Sequence, residues 1–120
     1  MRVSIGVTIF VVTMARAPRF SIVYDAAVKQ HMLAIDRKDH SLIRRTIEQQ
    51  LSHEPDVETR NRKPLRRDVE FDADWELRCG PDNRFRVLYA IDTAARKVEV
   101  LAVGVKVGNR LFIAGEEVKL

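Results

Sequence analysis

The chain has 120 residues, 46% apolar and 32% charged, which is the size and composition of a single folded domain rather than of a disordered segment. Its one cysteine, Cys79, excludes a disulfide within the chain, and a reducing cytoplasm is the compartment that fits best. A net charge of +4 does not by itself establish nucleic-acid binding, but the charge is unevenly distributed. The run RNRKPLRR, residues 60–67, holds five basic residues and no acidic one, so it is a candidate contact for an anionic partner.

Residues 1–19 form an extension whose role the sequence leaves open. The apolar run VSIGVTIFVV, followed by ARAP, has the shape of a signal peptide but is too short to span a bilayer. Met14 offers an alternative start. Three accounts therefore stand side by side: a non-essential extension, an additional edge strand, and a signal segment. The folded domain is predicted over residues 20–120, with no membrane partner.

The first half of this domain is predicted to contain one strand and a helical hairpin. Large apolar side chains occupy every second position of residues 20–24, which is the pattern of a strand. The first helix is predicted from a mainly apolar stripe along one face, with residues at positions i, i+3, i+4 and i+7. This stripe consists of Val28, His31, Met32 and Ile35. The stripe of the second helix, which must end near Pro55, consists of Leu42, Ile43, Ile47 and Leu51.

The second half changes to the period of β-strands. Residues 53–72 have no period and predict a long loop with one short strand near residues 65–69. The predicted strands that follow cover residues 75–79, 84–91, 98–103 and 111–113, separated by turns rich in Gly, Asp and Asn. Helices followed by a strand meander predict an α+β fold, with the two-helix hairpin packed on a mainly antiparallel sheet.

The strand in DNRFRVLYAID raises a question about its two arginines. Phe85, Val87, Tyr89 and Ile91 share one face, whereas Arg84 and Arg86 lie on the other face, ahead of Leu88. Such arginines either lie at a solvated end of a sheet or hold an anion in a concave site. We favour an anion contact for Arg86 and a solvated scaffold role for Arg84.

Motifs for cofactors and metals are absent from the sequence. It has neither a phosphate-binding loop nor a dinucleotide-binding glycine motif, and its three histidines lack the spacing of metal ligands. No cofactor and no metal site are therefore expected. His31 lies on the apolar stripe and is interpreted as a residue at the edge of the core, and Cys79 as structural.

The chain resembles the RelE/ParE superfamily of bacterial toxin–antitoxin systems over residues 20–112. The resemblance is carried by the segments WELRCGPDNRFRVLYAID and VEVLAVGVKVGNRLFI and by the RKPLRR loop. The resemblance implies a curved, mainly antiparallel sheet with a helical hairpin on one face and a basic concave surface. RelE-type members cleave mRNA, typically in the ribosomal A site, without a metal. ParE-type members poison DNA gyrase instead. Both are neutralised by a cognate antitoxin.

The same resemblance implies a set of site residues. Arg86 stands where RelE-type toxins have the arginine that contacts the scissile phosphate, and as a strand-end residue it is expected to contribute little to the core. Arg78 replaces a catalytic lysine, and Glu76 reverses the charge of another. Lys106 stands in place of a second functional arginine, and Phe112, without a hydroxyl, in place of a catalytic tyrosine. The expected phosphate-binding residues are Arg62, Lys63, Arg66, Arg67 and Arg84.

Chemistry limits what these residues can do. RNA cleavage needs a base, cations for the growing phosphate charge and an acid. Arginines provide the cations but are poor proton donors and acceptors. Glu76 could serve as the base, or could merely pair with Arg78 or with an arginine across the sheet. The sequence therefore predicts a toxin acting on mRNA, a metal-independent endoribonuclease with the ribosome and a cognate antitoxin as partners. A ParE-like gyrase poison and an inactive antitoxin-binding relic remain alternatives.

Overall fold

The computed structural model of the chain describes residues 19–66 and 71–119. The N-terminal extension up to residue 18, Arg67 and most of the strand expected near residues 65–69 lie outside the described residues. Within the described ranges the chain forms seven strands, two α-helices and two short 3₁₀ turns. In chain order they are β1 (Ser21–Tyr24), α1 (Val28–Leu33), a turn (Arg37–Asp39), α2 (His40–Leu51), β2 (Arg62–Pro64), β3 (Trp75–Cys79), a turn (Pro81–Asn83), β4 (Phe85–Asp92), β5 (Lys97–Val107), β6 (Arg110–Ile113) and β7 (Glu116–Val118).

The strands join in one sheet, which confirms the predicted α+β class. Strands β2 to β7 lie side by side in chain order, and each pairs with the next in the antiparallel sense. Strand β1 is the exception, since it runs parallel to the first half of β5, with Ser21 opposite Lys97. Strand β6 pairs with the second half of β5, so β1 and β6 share one edge of this long strand.

The helical hairpin is present, but its first helix is shorter than its stripe suggested. Helix α1 ends at Leu33, although Ile35, the last residue of the stripe, is still buried. The Asp36 carboxylate accepts a hydrogen bond from the backbone of Lys38 and opens the 3₁₀ turn there, because aspartate satisfies the first amides of a new turn. Helix α2 matches its stripe and buries Ile43, Ile47 and Leu51.

Two apolar clusters cover the two faces of the sheet. The larger one joins the helices to the face of β4 that carries Phe85, Val87 and Tyr89. A smaller one lies on the opposite face, because Leu88 points away from its neighbours in the strand. Its buried members are Ala73, Leu88, Ala102, Leu111 and Ile113. The small cluster stops short of Arg86, which leaves this end of the open face to polar side chains.

No helix in the described parts of the chain is long and apolar enough to cross a membrane.

Candidate functional site

A basic cleft lies on the face of the sheet that is opposite the helices. Its volume is about 360 Å³, and the cations that line it come from β2, β3, β4, β5 and the segment after β2. These cations are Lys63, Arg66, Arg78, Arg86 and Lys106. Two carboxylates, Glu58 and Glu76, and the apolar side chains of Pro64 and Leu65 complete the lining.

The strand register explains why these side chains meet. Arg78 is paired across the sheet with Arg86, and Lys63 with Glu76. Partners that face each other on neighbouring strands project to the same side of the sheet. Two arginines directly opposite each other repel, so the arrangement requires a counter-charge nearby.

Glu76 provides that counter-charge. One of its carboxylate oxygens accepts a hydrogen bond from Arg78 Nε at 3.3 Å, and the other accepts from Arg86 Nη1 at 3.2 Å. Glu76 is only 4% exposed, and the Arg86 side chain is 10% exposed, whereas the Arg78 side chain is 34% exposed. Arg86 Nε also donates to the carbonyl of Asn83 at 3.1 Å. The guanidinium of Arg86 is therefore held in one place, and that of Arg78 reaches solvent.

These contacts correct the expectation that Arg86 contributes little to the core. The residue is buried, and it is tied both to Glu76 and to the turn before β4. Breaking a buried ion pair by removing one partner leaves the other charge unpaired in a poorly solvated place. Arg86 therefore supports the local structure as well as lining the cleft.

The cleft is equipped to hold negative charge. Fixed guanidinium groups bind phosphate oxygens in a planar, bidentate geometry, and lysines add mobile positive charge. Among the residues that the structure describes, no histidine, tyrosine or cysteine lines this cleft. Besides arginines, the ionisable side chains there are lysines and carboxylates, and Lys63 is paired with Glu58 at 3.3 Å.

A comparison with solved structures finds the same fold in a chain of the toxin–antitoxin complex RelBE2 from Mycobacterium tuberculosis. The TM-score is 0.59 and the sequence identity 24%, and the match covers 73% of this chain and 92% of that chain. The protein has a RelE-like fold. No family model and no curated protein matches its sequence.

Two of the expected phosphate-binding residues, Arg62 and Arg84, do not line the basic cleft of this RelE-like fold. Arg62 is buried, and its guanidinium donates to the carbonyl of Gln50 at 2.8 Å, to the Gln50 side chain at 2.9 Å and to the carbonyl of Val57 at 3.0 Å. It therefore ties β2 to the end of α2. Arg84 lines a neighbouring hollow, with its guanidinium 5.3 Å from the ring centre of Phe85. Arg67 lies outside the described residues.

Phe112 lies on the wrong face to stand in for a catalytic tyrosine. It pairs with Val105, and both line a hollow beneath α1 together with His31. Lys106 pairs with Leu111 and faces the cleft instead. The alternation of side chains along β6 therefore places Phe112 on the opposite face of the sheet from Arg86.

Three titratable groups with displaced pKa values have structural roles. Burial raises the pKa of Cys79 to about 11, so the thiol stays protonated and unreactive. Burial also raises the pKa of Tyr89, whose hydroxyl donates to the carbonyl of Pro55 at 2.7 Å. His31 accepts a hydrogen bond on Nδ1 from the backbone of Val103 at 3.3 Å, and burial lowers its pKa. None of these three lines the basic cleft.

A second feature of the RelE-like fold is an apolar groove of about 330 Å³ between β1 and the two helices. Leu33, on its wall, is 67% exposed. The groove includes Val28 and Met32 from the apolar stripe of α1, but not Ile35. Lys29 and Arg44 add positive charge to its lining.

Sequence reasoning missed Glu58 and Asp82 as neighbours of the cationic side chains. Glu58 lies in a stretch without any period, so nothing indicated where its side chain would point. Asp82 lies in a turn, and the identity of a turn residue predicts backbone geometry rather than the cavity that it lines.

Proposed function

We propose that this protein is the toxin of a type II toxin–antitoxin system and that it inhibits translation by binding and cleaving mRNA in the basic cleft. The observation that carries the proposal is the cluster of five cationic side chains on the open face of a RelE-like fold. The comparable fold occurs in a toxin–antitoxin complex. Both mRNA and the ribosome are found in the cytoplasm, which is the proposed location.

In the proposed reaction, the scissile phosphate binds to Arg86, Arg78 and Lys106. The 2′-oxygen of the preceding ribose attacks this phosphate, and the 5′-oxygen of the next nucleotide leaves. Cations fixed in advance stabilise the charge that grows on the phosphate oxygens. We assign the proton transfers to the cleft lysines and solvent, which needs no metal.

Glu76 takes a positioning role in this proposal. A general base needs a carboxylate oxygen that can approach the 2′-hydroxyl within hydrogen-bond distance. Both oxygens of Glu76 already accept hydrogen bonds from arginines, and the side chain is buried beneath them. Glu76 therefore orients Arg86 and Arg78 and limits the positive charge that they present.

The proposed partner is a cognate antitoxin with an acidic, amphipathic segment. An apolar helix face fits the apolar groove, and acidic residues beside it would pair with Lys29 and Arg44. The test is co-expression with the product of the neighbouring short reading frame. We expect a stable complex on co-purification and relief of growth arrest. A protein that stays monomeric and toxic beside that product contradicts the assignment.

The decisive experiment is induced expression with mapping of transcript 5′ ends. Wild-type protein is expected to stop growth and produce new 5′ ends within coding regions. Lys106→Ala should reduce cleavage by about 10²–10³, the usual effect of removing one charge-stabilising group. Lys106 is a better probe than Arg86, because it is less buried and its removal leaves no carboxylate unpaired. Arg45→Ala, on the exposed side of α2, removes one charge from the other face and should leave toxicity unchanged.

Two outcomes would overturn the proposal in different ways. If growth stops without new 5′ ends, the target is not mRNA, and a DNA supercoiling assay then tests gyrase. If growth never stops although the protein is folded and binds its antitoxin, the chain is an inactive relic.

A further inference from the structure

A second hollow adjoins the basic cleft. Its volume is about 420 Å³, within the range of small-molecule sites, which is roughly 300–1,000 Å³. It shares Arg86 and Lys106 with the cleft, so these two side chains form the junction between the two cavities. The remaining lining residues are Pro81, Asp82, Arg84 and Gly108.

Asp82 is held in this hollow by an unusual turn. The backbone of Asp82 has φ +56° and that of Asn83 φ +52°, both in the left-handed region that non-glycine residues seldom adopt. The carbonyl of Asn83 accepts from Arg86 Nε at 3.1 Å, and its amide donates to the carbonyl of Gly80 at 3.1 Å. The turn is therefore fastened to Arg86, the same residue that would hold the phosphate.

The Asp82 carboxylate is out of place in a simple phosphate site. Its neighbours in the hollow are three cations, but it forms no ion pair within 4.0 Å among the described residues. A carboxylate accepts hydrogen bonds and repels phosphate. It strengthens binding only if the ligand brings hydrogen-bond donors to this position.

We propose that the second hollow binds the nucleotide next to the phosphate held by Arg86 and Lys106, and that Asp82 selects guanine as its base. This inference rests on the proposed function and names its substrate more closely. Guanine presents two adjacent donors, N1–H and N2–H, which match the two oxygens of one carboxylate. Uracil presents a single donor between two carbonyl oxygens, which a carboxylate repels. Base edges are accessible to side chains in single-stranded RNA.

The test is the affinity of purified protein for short single-stranded RNAs. The probes are a uridine hexamer and the same hexamer with one central guanosine, adenosine or cytidine. Wild-type protein should bind the guanosine hexamer about tenfold more tightly than the uridine hexamer, the scale of one good bidentate base contact. Asp82→Asn should abolish that preference and bind the uridine hexamer more tightly, because a negative charge beside the RNA is removed. Asparagine adopts left-handed backbone angles readily, so the turn is preserved.

Glu54→Gln, on an exposed residue outside both cavities, is the matched control and should change neither affinity nor preference. Equal tightening of all four RNAs by Asp82→Asn, with no guanine preference in the wild type, overturns the base selection and leaves the proposed function standing. Wild-type protein that binds none of the RNAs overturns both.

Discussion

At the residue scale, Glu76 links the stability of the protein to its affinity for anions. The buried carboxylate neutralises part of the charge on Arg86 and Arg78, so we expect it to weaken the proposed phosphate binding while it holds the arginines in place. A variant that removes this negative charge should therefore lose stability but gain affinity for anions. A variant that only lost a phosphate contact would bind RNA more weakly, so loss of stability together with tighter binding is diagnostic of this role.

We predict that Glu76→Gln lowers the free energy of unfolding by about 3 kcal/mol, because it breaks a buried ion pair. The same variant should bind single-stranded RNA more tightly, and its affinity should fall more steeply with salt. Denaturant titration and RNA binding at several salt concentrations measure the two effects. Glu58→Gln is the matched control, since Glu58 lines the same cleft but is exposed and pairs with the partly exposed Lys63. It should raise affinity without a comparable loss of stability. Unchanged stability in Glu76→Gln would contradict the positioning role.

The basic run shows what residue type alone could not predict. In RNRKPLRR, Arg62 and Lys63 look equivalent, but β2 places them on opposite faces. Arg62 faces Leu77 and the end of α2, whereas Lys63 faces Glu76 and the cleft. The predicted strand lay three residues further on, and without the correct register the alternation could not be applied. Arg78 and Arg86, on strands with clear periods, lie on one face, as the alternation along those strands predicts.

At the element scale, the predictable parts are those with a strong period. The stripe of α2 and the alternation of β3 and β4 match the structure, because burial on one face dictates the pattern. Strand β5 was predicted to end at Val103 but continues to Val107. A shift in the β4–β5 register occurs between Leu88 and Tyr89 and interrupts the alternation on β5, so the sequence there reads as apolar throughout. The extra length is what brings Lys106 to the cleft.

The turn between β3 and β4 depends on Gly80. This residue has φ +82°, and a Cβ added there would lie 2.6 Å from the ring of Phe85. We predict that Gly80→Ala costs about 2 kcal/mol or more of unfolding free energy, through both strain and collision. Because the turn carries Asp82 and is tied to Arg86, RNA binding should weaken in the fraction that remains folded.

Gly108→Ala provides the comparison for this turn. Gly108 also has a positive φ, +61°, but an added Cβ there meets nothing within 4 Å. Gly108→Ala should therefore lower the unfolding free energy only through the strained backbone angle, by about 1–2 kcal/mol. Thermal and denaturant unfolding of the two variants separate the collision with Phe85 from the strain that they share. Equal losses would mean that the ring moves aside.

At the scale of the whole molecule, His31 should make stability depend on pH. Burial lowers its pKa below the ordinary value of 6.5, and the charge of Asp25 opposes this in part. The unfolded chain therefore takes up a proton below about pH 6.5, whereas folded His31 stays neutral until the pH falls further. The contribution of His31 to the unfolding free energy should accordingly be largest above pH 6.5. It should decrease as the pH falls from 6.5 towards the lower pKa of the folded state.

His31→Asn tests this link. Asparagine offers an acceptor near the position of Nδ1 for the backbone amide of Val103 but does not titrate in this range. Denaturant unfolding at pH 7 and pH 5 should show a smaller loss of stability in the variant than in the wild type. The same pH dependence in both proteins would assign the effect to other groups.

The pairing of β1 with β5 has a consequence for the order of folding. Strands β2 to β7 each contact a neighbour in the chain, and such local contacts close quickly. Strand β1 pairs with Lys97–Val100, which lie far along the chain from it. Closing so long a loop is slow. We expect the β-meander to form in the folding transition state and β1 to dock after it, so destabilising changes in β1 should mainly accelerate unfolding. A chain still being synthesised lacks Lys106 and the partner of β1 until residues 97–107 have been made, so its basic cleft stays incomplete until then.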